Sequence, residues 1–375
     1  MSEVLARIRV RETAGIRRFL YPSMASLDLP SDADTSRFRF VKADGQPVPT
    51  EVHYVAPDRT AKEGRKKFQL CFAVSLAPHE EMRLELHSRQ VDNHLLDDPL
   101  NIQYVQEGGL ENSQQRFFIS LAKSSAISQV IYDGVTHLRS PEYTSLNGFA
   151  TPDGVPNSTS GSPLHLSYSC SGAYPREEVG ERDVADFLSL TSLTACKSWA
   201  HRYHWIQEPK AQDEVVFTLP LATTASTLTC DFGVGGYVFG KLDDKAPEIV
   251  WRTEFGDVPY ARWTVATAGR TDYVGEVATA EEFLPQRWFH LIDSDKALAV
   301  AITQVPLDCR EMTVRLTHEG DVSIAFRLGD TVADHPDDHA DFGVCYHFLN
   351  DVPAIAAATN PQSILLPPVV EVLPV

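Results

Sequence analysis

The sequence has no long hydrophobic run, so no segment is expected to span a membrane. No stretch of about 18 apolar residues occurs, which is the length that a transmembrane helix needs. The first residues, MSEVLARIRVRETAG, alternate apolar and charged side chains and lack the apolar core of a signal peptide. We therefore expect a cytoplasmic protein, or one whose secretory signal has been removed.

The sequence also lacks the short motifs that reveal a cofactor or a catalytic nucleophile. It contains no P-loop, no GxGxxG between a strand and a helix, no HExxH and no GxSxG. No CxxC spacing is present, so its scattered cysteines are expected to be buried free thiols in a reducing compartment. They are Cys71, Cys170, Cys196, Cys230, Cys309 and Cys345. No cofactor is predicted, with a divalent cation as the one alternative.

Basic residues are scarce in most of the chain, and their distribution indicates two domains. The formal net charge is -18, which disfavours a nucleic-acid partner. Residues 1–90 hold 15 of the 33 basic side chains but only 12 of the 51 acidic ones, and no basic residue follows Arg327. This shift predicts a small β-barrel-like module at residues 1–92 and a second module at residues 100–375.

Helical periodicity is rare, whereas alternation of apolar and polar residues is common. Alternation predicts strands at residues 4–11, 37–41, 51–55, 68–76 and 82–86. The dipeptide Asp133-Gly134 suits a type I′ turn between strands at 127–132 and 135–138, and two more hairpins are predicted at 287–305 and 312–328. Residues 151–163 are expected to form an exposed loop, and residues 351–359 a helix. The chain should be all-β, with very little helix.

Two segments of the N-terminal region resemble the small β-barrel of exo-acting rhamnogalacturonan lyases of the YetA-like type. The first is ETAGIRRFLYPSMASLDLP, and the second is FRFVKADGQPVPTEVHYV with its turn Asp44-Gly45-Gln46-Pro47-Val48-Pro49. The strand that ends at Ala77-Pro78 completes the likeness.

Two later segments are similar to larger carbohydrate-active β folds. ENSQQRFFISLAKSSAISQVIYDGVTHL resembles the opening of galactose-mutarotase-like β-supersandwiches, and HADFGVCYHFLNDVPAIAAATNP is similar to the C-terminal β region of retaining α-mannosidases. The resemblance implies an antiparallel β-supersandwich after the small barrel. The mannosidases carry their metal and nucleophile on a separate α/β domain, and no βαβ pattern occurs here, so any site must lie on the β modules.

The densest group of candidate side chains lies between residues 197 and 205. On a strand, Trp199, His201, Tyr203 and Trp205 would share one face, while Arg202 and His204 would share the other. Aromatic rings stack on the apolar face of a pyranose, and nearby polar groups bond its hydroxyls. This pattern favours sugar binding over a strand of mixed core and surface residues.

Three further groups supply candidates, each with a structural alternative. Arg252 or Arg262 could clamp a uronate carboxylate or form a surface pair with Glu254. The other aromatic and cationic candidates are Trp251, Tyr260, Trp263, Arg287, Trp288 and His290. A loop with His335, His339 and Asp341 could hold a cation or be simply solvated.

These residues are compatible with several functions. The leading hypothesis is a polysaccharide or oligosaccharide lyase that cleaves a uronate-containing glycoside by β-elimination. In it His201 or His204 is the base, Tyr203 is the acid, and Arg252, Arg262 or Arg287 neutralises the carboxylate. The candidate stacking platforms for the sugar are Trp199, Trp205, Trp251, Trp263 and Trp288.

Three alternatives stay open. A glycoside hydrolase would use paired carboxylates drawn from Glu254, Asp257, Asp231 and Glu276. A non-catalytic sugar-binding protein or subunit would need only the aromatic platforms. Epimerisation at the anomeric carbon ranks lower, because it gives the N-terminal module no role. In each case the partner is an oligosaccharide or glycoside, with no nucleic acid and no membrane.

Overall fold

The computed structural model describes most of the chain, in eighteen segments. They are residues 4–56, 64–88, 102–105, 109–112, 116–122, 124–162, 164–175, 184–195, 197–222, 229–232, 237–241, 248–255, 261–267, 270–277, 287–293, 296–329, 339–350 and 362–374. The expected all-β fold class is confirmed, since these segments are dominated by antiparallel strands. The described helices are a 3-10 turn at Thr35–Arg37 and one turn at 362–365, and neither is long enough to cross a membrane.

The N-terminal module consists of two small sheets packed face to face. Its strands are β1 (Val4–Arg11), β2 (Arg18–Pro30), β3 (Phe38–Lys42), β4 (Pro47–Val48), β5 (Thr50–Ala56), β6 (Arg65–Leu76) and β7 (Glu81–Ser88). One sheet has the order β1-β7-β3-β4 and the other β2-β6-β5. Alternate side chains from both sheets form a separate core, in which Phe40 and Phe72 pack with their ring centroids 4.9 Å apart.

The last strand of the chain returns to this module. Strand β30 (Val369–Leu373) pairs with β1, and Glu371 forms ion pairs with Arg9 and Arg11. These residues therefore complete the N-terminal sheet, and the expected module bounds of 1–92 and 100–375 stay a prediction. The expected boundary between residues 92 and 100 lies outside the described residues.

The second module is a sandwich of two large antiparallel sheets. The eight-stranded sheet has the order β14 (Phe149–Ala150), β13 (Tyr143–Leu146), β19 (Glu214–Pro220), β28 (Asp321–Leu328), β27 (Cys309–Thr317), β22 (Glu248–Phe255), β23 (Ala261–Thr267) and β24 (Arg270–Val277). The nine-stranded sheet has the order β15 (Val155–Ser162), β16 (His165–Pro175), β17 (Val184–Thr194), β18 (Trp199–Gln207), β29 (His339–Asn350), β26 (Lys296–Gln304), β25 (Trp288–Asp293), β20 (Thr229–Phe232) and β21 (Tyr237–Lys241).

One continuous core fills the space between the two large sheets. Phe326 of the eight-stranded sheet packs on Phe342 of the nine-stranded sheet with ring centroids 5.6 Å apart, and Trp251 packs edge-on against Phe289 with centroids 6.5 Å apart. A smaller sheet joins this core. Its order is β12 (Val135–Thr136), β11 (Ile127–Tyr132), β10 (Phe117–Leu121), β9 (Gly109–Asn112) and β8 (Ile102–Val105).

Several local predictions can be compared with this architecture. The hairpin at Asp133-Gly134 is confirmed, since both residues have the positive φ, 47° and 80°, that a type I′ turn requires. Four cysteines, Cys71, Cys170, Cys309 and Cys345, are buried and free as expected, while the side chains of Cys196 and Cys230 lie outside the described set.

The prediction of an exposed loop at residues 151–163 is wrong for most of that range. Residues 155–162 form β15, which pairs with β16 at the edge of the nine-stranded sheet. This segment is rich in serine, threonine and glycine and lacks apolar alternation, but an edge strand is held by its backbone ladder on one side. The helix expected at 351–359 lies outside the described residues.

Candidate functional site

Strand β18 lies in the middle of the nine-stranded sheet and carries the densest group of candidate residues. Its side chains alternate as the sequence predicts. Arg202, His204 and Ile206 are buried in the sandwich core, while His201, Tyr203 and Trp205 are half-buried on the outer face of the sheet. The site must therefore be assembled on the outer face, from β18 and its neighbours β17 and β29.

A carboxylate from β29 organises the end of β18 near Trp205, which we call the open end. The Tyr203 hydroxyl donates a short hydrogen bond to Asp341. The other carboxylate oxygen of Asp341 lies 3.6 Å from Nε2 of His339, whose ring centroid is 5.7 Å from that of Trp205. Burial and the bond to Asp341 raise the pKa of Tyr203, so its hydroxyl stays protonated.

His201 is held from the next strand but one. Its Nε2 lies 2.8 Å from Oγ1 of Thr303, on β26. Strand β29 runs between them and has Gly343 here, where an added Cβ would stand 2.5 Å from the same Oγ1. The glycine thus leaves the space that this contact uses. Burial lowers the pKa of His201 to about 4, so the imidazole is neutral at pH 7.

The other end of β18, which we call the closed end, is covered. Trp199 is only 6% exposed and Trp288 only 4%, because both pack beneath Tyr21 of the N-terminal module and Leu365 of the C-terminal segment. The Tyr21 hydroxyl also donates to the carbonyl of Ser363 at 3.0 Å. The two tryptophans were expected to stack on substrate, and their burial leaves no ring face for a sugar.

Of the two candidates beside Trp288, His290 is buried and Arg287 is half-buried. The His290 ring stacks on Trp288 with centroids 5.8 Å apart, and burial lowers its pKa to about 4. Burial likewise lowers the pKa of Arg287 to about 10. His290 thus belongs to the closed end, whereas Arg287 lies directly before β25, where its carbonyl accepts the backbone N–H of Ile302.

His204 and Trp251, two further candidates, belong to the sandwich core. Nε2 of His204 lies 3.0 Å from the Tyr174 hydroxyl, and burial, aided by the nearby Arg202 charge, lowers the pKa of His204 to about 3. Trp251 is fully buried. Since neither side chain can reach a ligand while the core is intact, we exclude both from the site.

The two arginines expected to clamp a carboxylate lie on the other large sheet. Arg252 and Arg262 are exposed on the eight-stranded sheet, and Arg252 is 3.5 Å from Glu311. Along β22, exposed positions such as Arg252 alternate with buried positions such as Trp251, so Arg252 faces away from the core. Arg262, on the neighbouring strand β23, is exposed as well. Two stacked layers about 10 Å apart separate them from the outer face of the nine-stranded sheet. They cannot act on the same substrate as His201 and Tyr203.

Some expected site residues cannot be placed. Tyr260, Asp257 and His335 lie outside the described residues, and only the backbone is described for Trp263, Asp231 and Glu276. Glu254 lies beside Arg262 on the eight-stranded sheet, whereas Asp231 is on the nine-stranded sheet. Within the described set, no group of three His, Cys, Asp or Glu side chains could hold a metal ion.

Sequence reasoning missed Thr303, Gly343 and the acceptor role of Asp341. One signal was available: Gly343 interrupts the apolar run of β29, and a glycine inside a strand often marks a close approach of another chain segment. The approaching residue is Thr303, which lies in the bulge of β26 between Ile302 and Gln304. No sequence pattern predicts this bulge.

Comparison with solved structures shows which known architecture this is. An α-mannosidase from Enterococcus faecalis V583 matches 98% of this chain with a TM-score of 0.61 and 9% identity. A glycosyl hydrolase family 38 protein from Enterococcus faecalis matches 99% of it with a TM-score of 0.63 and 10% identity. The fold is shared with α-mannosidases. This chain covers only 46% and 47% of those two chains, so it spans about half their length.

The α-mannosidase likeness is thus confirmed at the level of fold alone. A galactose 1-epimerase from Lactobacillus acidophilus NCFM matches 88% of this chain, but with a TM-score of 0.36 and 9% identity it is too distant to support a conclusion. The sequence matches no protein-family model and no curated protein. The likeness to YetA-like lyases stays a prediction.

Proposed function

We propose that this chain is a carbohydrate-active β protein that binds a saccharide on the outer face of its nine-stranded sheet, at the open end. The observation that supports this most directly is the grouping of Trp205, Tyr203 and Asp341, all half-buried on one face. An aromatic ring beside a carboxylate and a hydroxyl is the arrangement by which proteins hold sugars.

Each side chain has a separate task in this proposal. The Trp205 ring supports the apolar face of a sugar ring. The Asp341 carboxylate accepts hydrogen bonds from sugar hydroxyls, and its bond from Tyr203 holds both side chains in place before the ligand arrives. Groups that are already ordered lose less conformational entropy on binding, which favours affinity.

The fold supports a carbohydrate ligand without specifying a reaction. The two structures that share the fold are named as an α-mannosidase and a glycosyl hydrolase family 38 protein. Since this chain spans about half of each, we do not propose that it hydrolyses mannosides by itself. A subunit or binding role accords with the geometry of the open end.

The finer hypothesis of β-elimination has less support. His201 has a pKa of about 4 and is a weak base, and Tyr203 has a raised pKa and is a weak acid. The arginines Arg252 and Arg262 lie on the other sheet. We therefore place binding ahead of the lyase and hydrolase alternatives.

Isothermal titration calorimetry with neutral and uronate-containing oligosaccharides tests the proposal. Trp205→Ala should weaken binding by about tenfold or more, the loss expected when a stacking aromatic is removed from a binding site. Tyr143→Ala, which removes a 49% exposed aromatic from the eight-stranded sheet, is the control and should change nothing.

The same samples distinguish binding from catalysis. New ultraviolet absorbance from a conjugated double bond would show elimination, and new reducing ends without absorbance would show hydrolysis. A panel in which no saccharide binds, or an affinity that Trp205→Ala leaves unchanged, would contradict the proposal.

A further inference from the structure

The open end continues across four strands as a row of outward-facing side chains. Ser171 on β16 lies opposite Leu188 on β17, which lies opposite Trp205 on β18, which lies opposite Asp341 on β29. All four are half-buried. Neighbouring strands are about 4.8 Å apart, so this row is about 14 Å long.

A second row runs parallel to the first, two residues further along each strand. Ser169, Leu190, Tyr203 and Gly343 face one another in the same register. The next row is closed, since Ser167, Ser192 and Cys345 are buried. The row on the other side of the first contains Asp186 and Gln207, which are exposed. We call the two rows between this exposed row and the closed row the cross-strand strip, and these two rows are about 7 Å apart.

The length of the cross-strand strip and the distribution of its apolar and polar groups suit a chain of at least two sugar rings. The strip is about twice as long as it is wide, since three strand spacings exceed two residues of rise. Leu188 and Leu190 lie between the aromatic pair and the serines, so an apolar stretch in the middle of the strip has polar groups at its ends, the serines on β16 and Asp341 on β29. Sugar rings joined in a chain can rest their apolar faces on such a stretch and direct hydroxyls to the polar groups at its ends.

The charge of the strip is acidic. Asp341 lies in its first row, and Asp186, exposed, lies next to that row on β17. Among the outward-facing residues of β16, β17, β18 and β29, all of them described, there is no lysine or arginine. Lys197, which precedes β18, donates to the carbonyl of Phe19 at the closed end, and Lys210 lies three residues after β18, between β18 and β19. Within these described strands, a ligand carboxylate would meet like charge with no lysine or arginine to offset it.

We infer that the cross-strand strip binds an uncharged oligosaccharide of two or more sugar rings, lying across β16, β17, β18 and β29. One ring stacks on Trp205 and bonds Asp341, and the next rests on Leu188 toward Ser171. This inference rests on the proposed function and narrows it, because it specifies a neutral ligand, in place of the uronate expected from the sequence, and a length of at least two sugar rings.

The test compares ligands on the unmodified protein, so it does not depend on a variant that folds. Calorimetry is done with a neutral monosaccharide, disaccharide and trisaccharide and with uronate oligosaccharides of the same lengths. Affinity should rise at least about fivefold from one ring to two, and the uronate should bind more weakly than its neutral counterpart. Added salt should narrow the second difference, because it screens the repulsion.

Two variants test the contacts separately. Leu188→Ala should abolish the gain from the second ring and leave the affinity for the monosaccharide unchanged. Asp341→Asn should narrow the difference between neutral and uronate ligands, because it removes the repelling charge.

The outcomes separate the inference from the proposed function. A uronate that binds as tightly as the neutral ligand, or an affinity that does not depend on chain length, would overturn the inference while the proposed function stands. Failure of every saccharide to bind would overturn both.

Discussion

Replacing Arg202 by methionine should lower the free energy of unfolding by about 3–5 kcal/mol, because it leaves a buried carboxylate without its partner. The side chains of Arg202 and Glu142 are 1% and 0% exposed, and Nε lies 3.0 Å from the carboxylate. The guanidinium also donates to the carbonyl of Ser125 at 2.9 Å and to Oγ1 of Thr191 at 2.6 Å. The substitution therefore removes a charge that satisfies several buried acceptors at once.

Urea denaturation of a double-mutant cycle measures this loss. Glu142→Gln alone should also be costly, since Glu142 accepts the backbone N–H of Ile127 as well as the arginine. The double variant should be less destabilised than the sum of the single changes, because it removes both buried charges together.

A matched control comes from an exposed pair of the same type. Arg116 and Asp133 form an ion pair 2.8 Å long whose side chains are 79% and 54% exposed. Arg116→Met should cost at most about 1 kcal/mol. Ser125 and Glu142, which Arg202 binds, both lie in the segment between β10 and β13. If Arg202→Met lowers the free energy of unfolding no more than the control does, that result refutes the claim that this buried pair holds the segment to the sandwich.

Three further predictions follow from single contacts. Acidification from pH 7 to 5 should destabilise the fold: burial holds the pKa of His204 at about 3, below the value of about 6.5 in the unfolded chain, so only the unfolded chain takes up the proton. His204→Gln should therefore flatten the dependence of unfolding free energy on pH by about 1.4 kcal/mol per unit near pH 5, and an unchanged slope in urea titrations would contradict this. Gly343→Ala should cost about 1–3 kcal/mol, seen as a lower melting temperature, because its Cβ would stand 2.5 Å from the Thr303 hydroxyl; an unaltered melting temperature would refute the steric argument. Arg18→Met should release the C-terminal segment 362–374, whose carbonyls its guanidinium binds, and faster hydrogen exchange there is the expected result, with unchanged exchange as the opposite one.

Much of the strand content of the small module could be predicted because strands such as β1, β3 and β7 bury mainly one face, which produces apolar and polar residues in alternation. Val4–Arg11 alternates apolar and charged residues from Ala6 onward, and its observed bounds are the predicted ones. Strand β2 was not predicted, because Pro22 interrupts its alternation. As an edge strand it tolerates proline, since one side of its backbone needs no partner.

The site could be predicted only in part. A period of two correctly divides β18 into a face with Tyr203 and a face with Arg202, because alternation is a local property. The sheet that a strand joins is set by pairing with strands distant in sequence, and a local pattern does not predict that pairing. Strand β29 supplies Asp341 from a segment 138 residues after Tyr203, and Arg252 joins the opposite sheet. Residue type alone suggested that the arginine and the tyrosine act together, and the sheet order separates them.

The most direct test of the central claim is a crystal structure of the protein with a neutral oligosaccharide bound. The account predicts a sugar ring stacked on Trp205, with a hydroxyl within hydrogen-bonding distance of Asp341 and the chain directed toward Leu188. A saccharide found instead on the eight-stranded sheet, beside Arg252, would contradict it.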